Sequence, residues 1–345
     1  MQAQLVRSIQ LSSSAHPNLA IEASFIERDG RDRWFLGGSL NGNHEAWAAQ
    51  VDDKGTKIWE YARGLQQEDV ASLPSQFSAR AVFRGGAVAP NGIHFLCGSL
   101  PRAPGKPTAA FIDTLDASGK LLREQLYYST TKTGDRSAEL NNCVMFGDVL
   151  IGIGRKNMGG YGLDDNWIIA IDLQGKVQWD RTFARMRSDP ATSFQGITSA
   201  RLRDYLAICV TDNSNTDVFL VAKDGSILRS RTFGGGYLLV QDWSPRTSLA
   251  LYGDIGNGSE LRTAQIITLS EQLADESITV GESGDRFVAR WAGRLQDGTL
   301  LGFGSIINPV SGSYRPGISV IEGDLKVIVR PVPFLCPLRL AGTIV

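Results

Sequence analysis

One short apolar segment recurs six times along the chain, and this repetition limits the possible folds more than any other feature. The copies read RWFLGGS, IHFLCGS, VLIGIGR, LAICVTD, LALYGDI and LLGFGSI. Their shared marker positions are Gly38, Gly98, Gly154, Thr211, Gly253 and Gly304. A weaker strand-like segment precedes each copy, and two apolar segments follow it after a polar loop and a tight turn. The pattern predicts six units of four β-strands each.

Units of this kind predict an all-β fold, a β-propeller of six four-stranded blades. A lone four-stranded sheet has two apolar faces and buries both only by stacking against neighbours, and a closed ring leaves only short edges. The 38 glycines and 13 prolines suit short strands and tight turns. We expect one domain over 1–345, with blades at 13–63, 77–128, 138–183, 193–233, 238–280 and 285–332. Segments 4–12 and 338–345 are then terminal strands that close the ring, unless they supply part of a seventh blade.

Two tryptophan pairs occupy matching positions in different repeats. Trp47 and Trp59 flank an Asp-x-x-Gly turn, and Trp167 and Trp179 flank another at the same spacing. Each indole can bury roughly 150–250 Å², so the repetition predicts packing between blades rather than ligand stacking. The Asp-Gly and Asn-Gly pairs between strands predict hairpins whose glycines have positive φ.

The run DNWIIAIDLQGKVQWDRTF, with VFLVAKDGSILRSRTFGGG and AWAAQVDDKGTKIWEYARG, resembles bacterial propeller repeats of the quinoprotein and delta-60 types. Their usual form is Asp-x-Trp, an apolar strand, Asp-x-x-Gly, then a Trp-containing strand ending in Thr-Phe-Gly-Gly. The match is strong in blades 1, 3 and 4 and loose in the others. The resemblance implies a propeller fold and a periplasmic or extracellular location, and it assigns no activity. The opening residues, MQAQLVRSIQLSSS, do not predict a signal peptide, so the compartment stays open.

In a propeller, the loops between second and third strands and those between blades emerge on the same side. These loops are long here, and long loops on a rigid scaffold concentrate binding residues. We name this side the long-loop face. Its predicted binding residues are basic or aromatic: Arg102, Lys106, Arg155, Lys156, Tyr161, Arg185, Arg187, Tyr314 and Arg315. Acidic residues mark another part of the same face: Asp212, Asp217, Asp254 and Glu260. Ordinary solvated loops are the alternative interpretation.

Charge and hydropathy narrow the classes of partner. The 35 basic and 36 acidic residues leave a net charge of −1, which does not favour nucleic acid. No apolar stretch is long enough to predict a membrane span. The sequence therefore favours a monomer that binds a protein or a glycan.

The sequence shows no recognisable catalytic or metal-binding motif. The histidines His16, His44 and His94 lack partners at metal-ligand or triad spacing. The four cysteines also lack such spacing: Cys97, Cys143, Cys209 and Cys336. Cys97 and Cys209 lie in apolar runs and are predicted to be small buried apolar side chains. No cofactor or metal is predicted, and DNSNTD at 212–217 is the alternative calcium site. An acid two residues before an aromatic recurs at Glu45, Asp165 and Asp217, which favours turn capping over calcium binding.

The leading prediction is a non-catalytic binding scaffold that presents the long-loop face to a partner. The alternative is a propeller hydrolase, lactonase or lyase whose acids come from several blades. Its candidate acids are Glu68, Asp69, Asp135, Glu139, Asp189 and Asp285. A quinone-dependent dehydrogenase is less favoured, because no adjacent cysteine pair is present. A structural domain of a longer chain is the third interpretation.

Overall fold

The computed structural model of the chain describes twenty stretches of residues, most of them strands with their tight turns. They are 13–14, 21–30, 32–40, 45–64, 81–100, 108–128, 137–157, 164–183, 194–202, 204–212, 215–234, 236–239, 249–255, 263–270, 272–273, 275–281, 286–294, 300–307, 314–321 and 327–331. Within these stretches the secondary structure consists of strands and turns, without helix. The strands fall into two units, which are treated separately.

The first unit contains three antiparallel sheets, each with its strands in chain order. Sheet 1 is β1 (Ile21–Arg28), β2 (Arg33–Leu40), β3 (Ala46–Asp52) and β4 (Lys57–Arg63). Sheet 2 is β5 (Val82–Val88), β6 (His94–Leu100), β7 (Ala109–Leu115) and β8 (Leu121–Tyr127). Sheet 3 is β9 (Ala138–Phe146), β10 (Val149–Asn157), β11 (Asp164–Asp172) and β12 (Val177–Phe183).

The second unit repeats this arrangement. Sheet 4 is β13 (Phe194–Arg201), β14 (Leu206–Asp212), β15 (Asn215–Val221) and β16 (Ile227–Gly234). Sheet 5 is β17 (Gly236–Leu239), β18 (Leu249–Ile255), β19 (Thr263–Leu269) and β20 (Asp275–Gly281). Sheet 6 is β21 (Arg286–Arg294), β22 (Leu300–Ile307), β23 (Tyr314–Ile321) and β24 (Val327–Pro331).

Sheets 1 and 2, sheets 2 and 3, and sheets 4 and 5 stack face to face through apolar side chains. Sheets 1 and 2 bury Phe35, Trp59 and Phe111 between them. Trp167 lies in the cluster between sheets 2 and 3, and Leu269 lies in the cluster between sheets 4 and 5. The strict alternation along each strand directs these residues to the faces that stack. The predicted all-β propeller class is confirmed.

The described residues form six four-stranded sheets. Whether the ring has six or seven blades stays a prediction, because segments 4–12 and 338–345 lie outside those residues. The predicted residue limits of the blades and the single domain stay predictions as well.

The tight turns follow the glycine signals. Gly30, Gly92 and Gly225, each preceded by Asp or Asn, have the predicted positive φ, at 78°, 81° and 81°. The glycines of the Asp-x-x-Gly turns also have positive φ, between 78° and 83°: Gly55, Gly119 and Gly175. In the first Asp-x-x-Gly turn, Asp52 Oδ1 accepts hydrogen bonds from the backbone N–H groups of Lys54 at 2.9 Å and Thr56 at 2.6 Å. The bond from the Thr56 backbone lowers the pKa of Asp52. Asp116 and Asp172 cap the equivalent turns in sheets 2 and 3.

The first strands of five sheets carry a one-residue bulge opposite the marker position. In sheet 3, Leu140 pairs with Gly154 and Asn142 pairs with Ile153, so Asn141 is the extra residue. The corresponding extra residues in sheets 1, 2, 4 and 6 are Ser24, Arg84, Gln195 and Arg290. A bulge of this kind bends the strand and increases its local twist. A Cβ on Gly154 would lie 1.9 Å from Glu139 O, which explains why this copy of the repeat requires glycine.

Side chains of one sheet lie on the turn of the next. A Cβ on Gly119, in the β7–β8 turn, would lie 2.5 Å from the ring of Trp59 in sheet 1. Arg123 of sheet 2 donates to the Leu173 carbonyl in the β11–β12 turn at 3.3 Å, and Gln125 donates to the Gly175 carbonyl at 2.8 Å. In the second unit, Arg231 of sheet 4 donates to the Leu273 carbonyl of sheet 5 at 2.6 Å. Each contact fixes the position of one sheet against its successor.

Candidate functional site

The long-loop end of sheet 3 holds a cation, a carboxylate and an indole in mutual contact. Lys156, at the end of β10, donates to Asp180 Oδ1 at 2.8 Å, and its Nζ lies 5.2 Å from the centroid of the Trp167 ring. The Trp167 indole donates to the same carboxylate oxygen at 3.0 Å. Lys156 is buried, whereas Asp180 is 40% exposed. The ammonium is thus committed to an ion pair within the sheet.

Sheet 1 contains the same indole–carboxylate pair at matching repeat positions, with a lysine supplied by its fourth strand instead of its second. The Trp47 indole donates to Glu60 Oε2 at 3.3 Å, and Lys57 Nζ lies 2.7 Å from that oxygen. The Ser14 backbone N–H donates to Glu60 at 2.9 Å. Burial opposes ionisation of Glu60, but the hydrogen bonds from Lys57, Ser14 and Trp47 outweigh it and lower its pKa. In both repeats the carboxylate follows the second tryptophan directly, a sequence signal that catalytic and metal-binding motifs do not include.

We expect Asp180→Ala to destabilise the first unit by about 2 kcal/mol, because it leaves the buried Lys156 ammonium and the Trp167 N–H without their acceptor. Urea unfolding followed by tryptophan fluorescence measures the change. Arg181→Ala, at the neighbouring exposed position, is the matched control and should change stability by less than about 0.5 kcal/mol. Equal effects of the two substitutions would contradict the assigned role of Asp180.

The predicted binding residues Arg155 and Lys156 are neighbours on β10, so their side chains lie on opposite faces of sheet 3. Arg155 Nε donates to Glu139 Oε1 at 2.8 Å, and a second guanidinium nitrogen binds the same oxygen. Both partners are about one-fifth exposed, with 18% for Arg155 and 23% for Glu139. The two basic residues are thus brought to one strand end but engage different acids.

The long-loop end of sheet 1 is tied to sheet 2 by a buried ionic cluster. Arg63, the last residue of β4, pairs with Asp113 of β7 and also with Glu124 of β8. The Tyr61 hydroxyl donates to Asp113 Oδ2 at 3.0 Å, and the Arg63 guanidinium carbon lies 4.3 Å from the centroid of the Phe111 ring. Asp113 is fully buried, whereas Glu124 is 37% exposed.

The burial of this cluster shifts the protonation equilibria of its members. Burial raises the pKa of Asp113, although Arg63 and Tyr61 favour the charged form. Burial and the nearby Asp113 carboxylate also raise the pKa of Tyr61. The pKa of Arg63 is raised by Asp113 despite the cost of its own burial. A fully buried carboxylate held by a guanidinium suits a structural ion pair better than attack on a substrate.

A second buried polar cluster lies at the tight-turn end of sheets 1 and 2. His94 Nε2 lies 2.9 Å from Asp29 Oδ2, and the Gln50 amide nitrogen also binds this carboxylate oxygen. The His94 ring contacts Phe35 and Trp59 edge-on, with centroid distances of 4.9 and 5.0 Å. Spacing along the sequence did not reveal a partner for His94, because its partners lie in the other sheet.

The tryptophan pairs have different surroundings. Trp59 and Trp167 pack between sheets, as predicted. Trp47 is buried against apolar residues of its own sheet, including Ile21 and Leu36. Trp179 is partly exposed.

For the other predicted binding residues, the structure does not describe the side chains. Residues 101–107, 158–163 and 184–193, which include five of them, lie outside the described stretches. Those five are Arg102, Lys106, Tyr161, Arg185 and Arg187. Tyr314 and Arg315 are the first two residues of β23, opposite Ile307 and Ile306. Of the candidate catalytic acids, Glu139 is described, and Glu68, Asp69, Asp135, Asp189 and Asp285 lie outside these stretches.

The acid-x-aromatic site at Asp217 makes a side-chain hydrogen bond, because its carboxylate accepts from the Thr232 hydroxyl at 2.6 Å. The turn-capping role of Glu45, Asp165 and Asp217 stays a prediction.

Metal ligands were sought among the same described residues. No group of three or more His, Cys, Asp and Glu side chains there is arranged to hold a metal ion. The alternative calcium segment 212–217 includes 213–214, which fall outside them. No helix long and apolar enough to cross a bilayer occurs in the part of the chain that the structure describes.

Comparison with known proteins finds likeness at the level of structure. No protein-family model matches the chain, and no curated protein matches it. The chain is similar to a puromycin hydrolase with a TM-score of 0.50 and 15% identity, over 89% of this chain and 51% of that one. It is similar to a protein from Lactobacillus plantarum with a TM-score of 0.51 and 12% identity, over 87% and 81% of the two chains. It is also similar to the β-propeller domain of the Trilobed protease from Pyrococcus furiosus, with a TM-score of 0.48 and 11% identity, over 90% and 84%.

These comparisons concern the fold. The chain spans about half the length of the puromycin hydrolase that it matches. At identities of 12–15%, the likeness carries neither activity nor substrate to this chain. The stacked four-stranded meanders in each unit carry the assignment, and the likeness to solved structures agrees with it. By fold, the chain is a β-propeller protein.

Proposed function

We propose that the chain is a non-catalytic binding module whose long-loop face contacts a protein or glycan partner. The observation that carries the proposal is that ion pairs hold the basic side chains at the strand ends of this face in the first unit. Arg63 is the last residue of β4, Arg155 and Lys156 lie among the last three residues of β10, and each is held by a carboxylate of the same unit. Rigid strand ends hold the bases of the loops in place, and loops on such a scaffold are suited to recognition.

The predicted loop residues suggest the chemistry of the partner. Arg102, Lys106 and Arg187 are basic, and Tyr161 adds an aromatic surface. Guanidinium groups bind carboxylate and sulfate groups with paired hydrogen bonds, and tyrosine adds rigid contact area. An acidic protein surface or an anionic glycan fits this composition.

Further properties belong to the same proposal. The repeats are of the quinoprotein or delta-60 type, and the chain acts as a monomer in the periplasm or outside the cell. It binds neither nucleic acid nor a cofactor. The near balance of 35 basic and 36 acidic residues supports the exclusion of nucleic acid.

A matched pair of charge reversals tests the proposal. The loop variant Arg102→Glu/Lys106→Glu/Arg187→Glu should weaken binding to the partner by about tenfold or more. The control Lys54→Glu/Lys120→Glu/Lys176→Glu makes the same change in net charge at exposed positions of the tight turns. It should change binding by less than about twofold. Partners are captured from periplasmic and secreted fractions and on a glycan array, and affinity is measured by biolayer interferometry.

Two outcomes would overturn this function. Equal weakening by both variants would show that net charge, rather than the long-loop face, governs binding. Turnover of a glycoside, lactone or peptide substrate that is lost in Glu68→Gln, Asp135→Asn or Asp189→Asn would establish the enzymatic alternative in its place.

A further inference from the structure

Two cysteines from different sheets face each other in the core of the first unit. Cys97 lies on β6 and Cys143 on β9, and both belong to the apolar cluster between sheets 2 and 3. Both are buried, with exposures of 0% and 1%. The Cys143 thiol lies beside Cys97, whose side chain and backbone both act on its pKa after burial, the largest cause. The two sulfur atoms are therefore neighbours across the sheet interface, although 45 residues lie between them in the sequence.

A glycine allows the backbones to approach at this point. Gly85 of β5 is the cross-strand partner of Cys97. A Cβ on Gly85 would lie 2.7 Å from the backbone nitrogen of Cys143 and 2.8 Å from the Cα of Asn142. Because Gly85 has no side chain, β9 packs directly on β5 beside Cys97. This packing brings Cys143 within reach of the thiol of Cys97.

We propose that Cys97 and Cys143 form a disulfide bond that joins sheet 2 to sheet 3 when the chain folds in an oxidising compartment. The oxidant is an exchangeable disulfide, either a small molecule such as oxidised glutathione or a protein dithiol in its disulfide form. One cysteine thiolate attacks the oxidant and releases one thiol, giving a mixed disulfide. The second cysteine thiolate attacks that mixed disulfide and releases the second thiol. The chain loses two protons and two electrons, and the oxidant gains them.

The folded state determines when this exchange can occur. Burial raises the pKa of the Cys143 thiol, so little thiolate forms once the sheets have stacked. The thiolate is the reactive form, and an oxidant needs access to it. The disulfide therefore forms before the sheets close, and in the finished fold it is shielded from reductants.

Oxidative refolding of the full chain tests the proposal directly. The chain is unfolded under reducing conditions, refolded with oxidised and reduced glutathione, denatured without reductant and alkylated. Peptide mapping should then find Cys97 linked to Cys143, with the remaining two of the four cysteines alkylated. Refolding in reductant alone should give a thermal midpoint of unfolding about 5–10 °C lower than oxidative refolding does, because the cross-link restricts the unfolded chain.

Variants assign the effect to this pair. Cys97→Ala and Cys143→Ala should each abolish the redox dependence of the thermal midpoint. Cys209→Ala, a buried cysteine of the second unit, should preserve it. Four alkylated cysteines after oxidative refolding, or a link that involves Cys209 or Cys336, would overturn the proposal. Peptide mapping of the unsubstituted chain distinguishes these results even if a variant fails to fold.

Discussion

Gly154→Ala should unfold the first unit or cost it about 3–5 kcal/mol, a large effect for the addition of one methyl group. The new Cβ would lie 1.9 Å from Glu139 O and 2.8 Å from the Cα of Leu140. Both atoms belong to the backbone of β9, so neither can rotate away as a side chain would. Relief requires removal of the bulge at Asn141, which would shift the register of β9 by one residue. Such a shift turns every buried side chain of the strand to the wrong face.

Urea unfolding at constant temperature measures this effect, with tryptophan fluorescence as the signal. Gly98→Ala should behave similarly, because its Cβ would lie 1.9 Å from Val82 O beside the bulge of β5. Gly64→Ala is the control, because its nearest neighbour would be the Glu45 Cγ at 3.9 Å. An unfolding midpoint of Gly154→Ala equal to that of the parent chain would refute the bulge as the cause of the repeated glycine.

Arg63→Met should cost about 3–5 kcal/mol, because it leaves the Asp113 carboxylate fully buried without its cation. The substitution keeps an unbranched apolar stem and removes the guanidinium, including its contact with the Phe111 ring. The double variant Arg63→Met/Asp113→Leu removes both charges and should recover most of the loss. Arg33→Met, at the exposed start of β2, is the control and should change stability by less than about 0.5 kcal/mol. A double variant no more stable than Arg63→Met would contradict the uncompensated charge as the cause.

The pH dependence of Arg63→Met supplies an independent readout. Burial raises the pKa of Asp113 in the folded chain above its value in the unfolded chain. The folded chain then binds this proton more tightly, so the contribution to stability is present below the unfolded pKa and is lost as the pH rises through the folded pKa. Loss of Arg63 raises the pKa of Asp113 further. We expect a larger deficit at pH 8 than at pH 5, and a deficit that grows on acidification would be the contrary result.

Local patterns predicted the sheets because their causes are local. Continuous apolar runs such as those of β6 and β7 mark strands that are buried on both faces, and glycines such as Gly55 and Gly175 mark turns with positive φ. In the sequence, the bulges are visible only indirectly, through the marker glycine. This glycine identifies the repeats but does not reveal the steric reason for its presence. That cause is the Glu139 carbonyl, in a different strand from Gly154.

The polar clusters could not be predicted from spacing because their members come from different sheets. Asp29 and His94 are brought together by the stacking of sheet 1 on sheet 2, as are Arg63 and Asp113. The carboxylate after each second tryptophan was readable in principle, because Trp47–Glu60 and Trp167–Asp180 have the same spacing. The prediction of the long-loop face depends on a topological rule. This rule says on which side the loops emerge, but it does not say how their side chains are arranged.

The contacts that place Trp59 on Gly119, and Arg123 on the Leu173 carbonyl, give the chain a direction of assembly. In both cases a side chain of the fourth strand contacts the last hairpin turn of the sheet that is synthesised next. During synthesis, the Trp59 indole therefore stays exposed to solvent until sheet 2 has left the ribosome and packs on it. The smallest fragment that stays monomeric in solution should accordingly span two consecutive sheets, and a fragment of one sheet should aggregate.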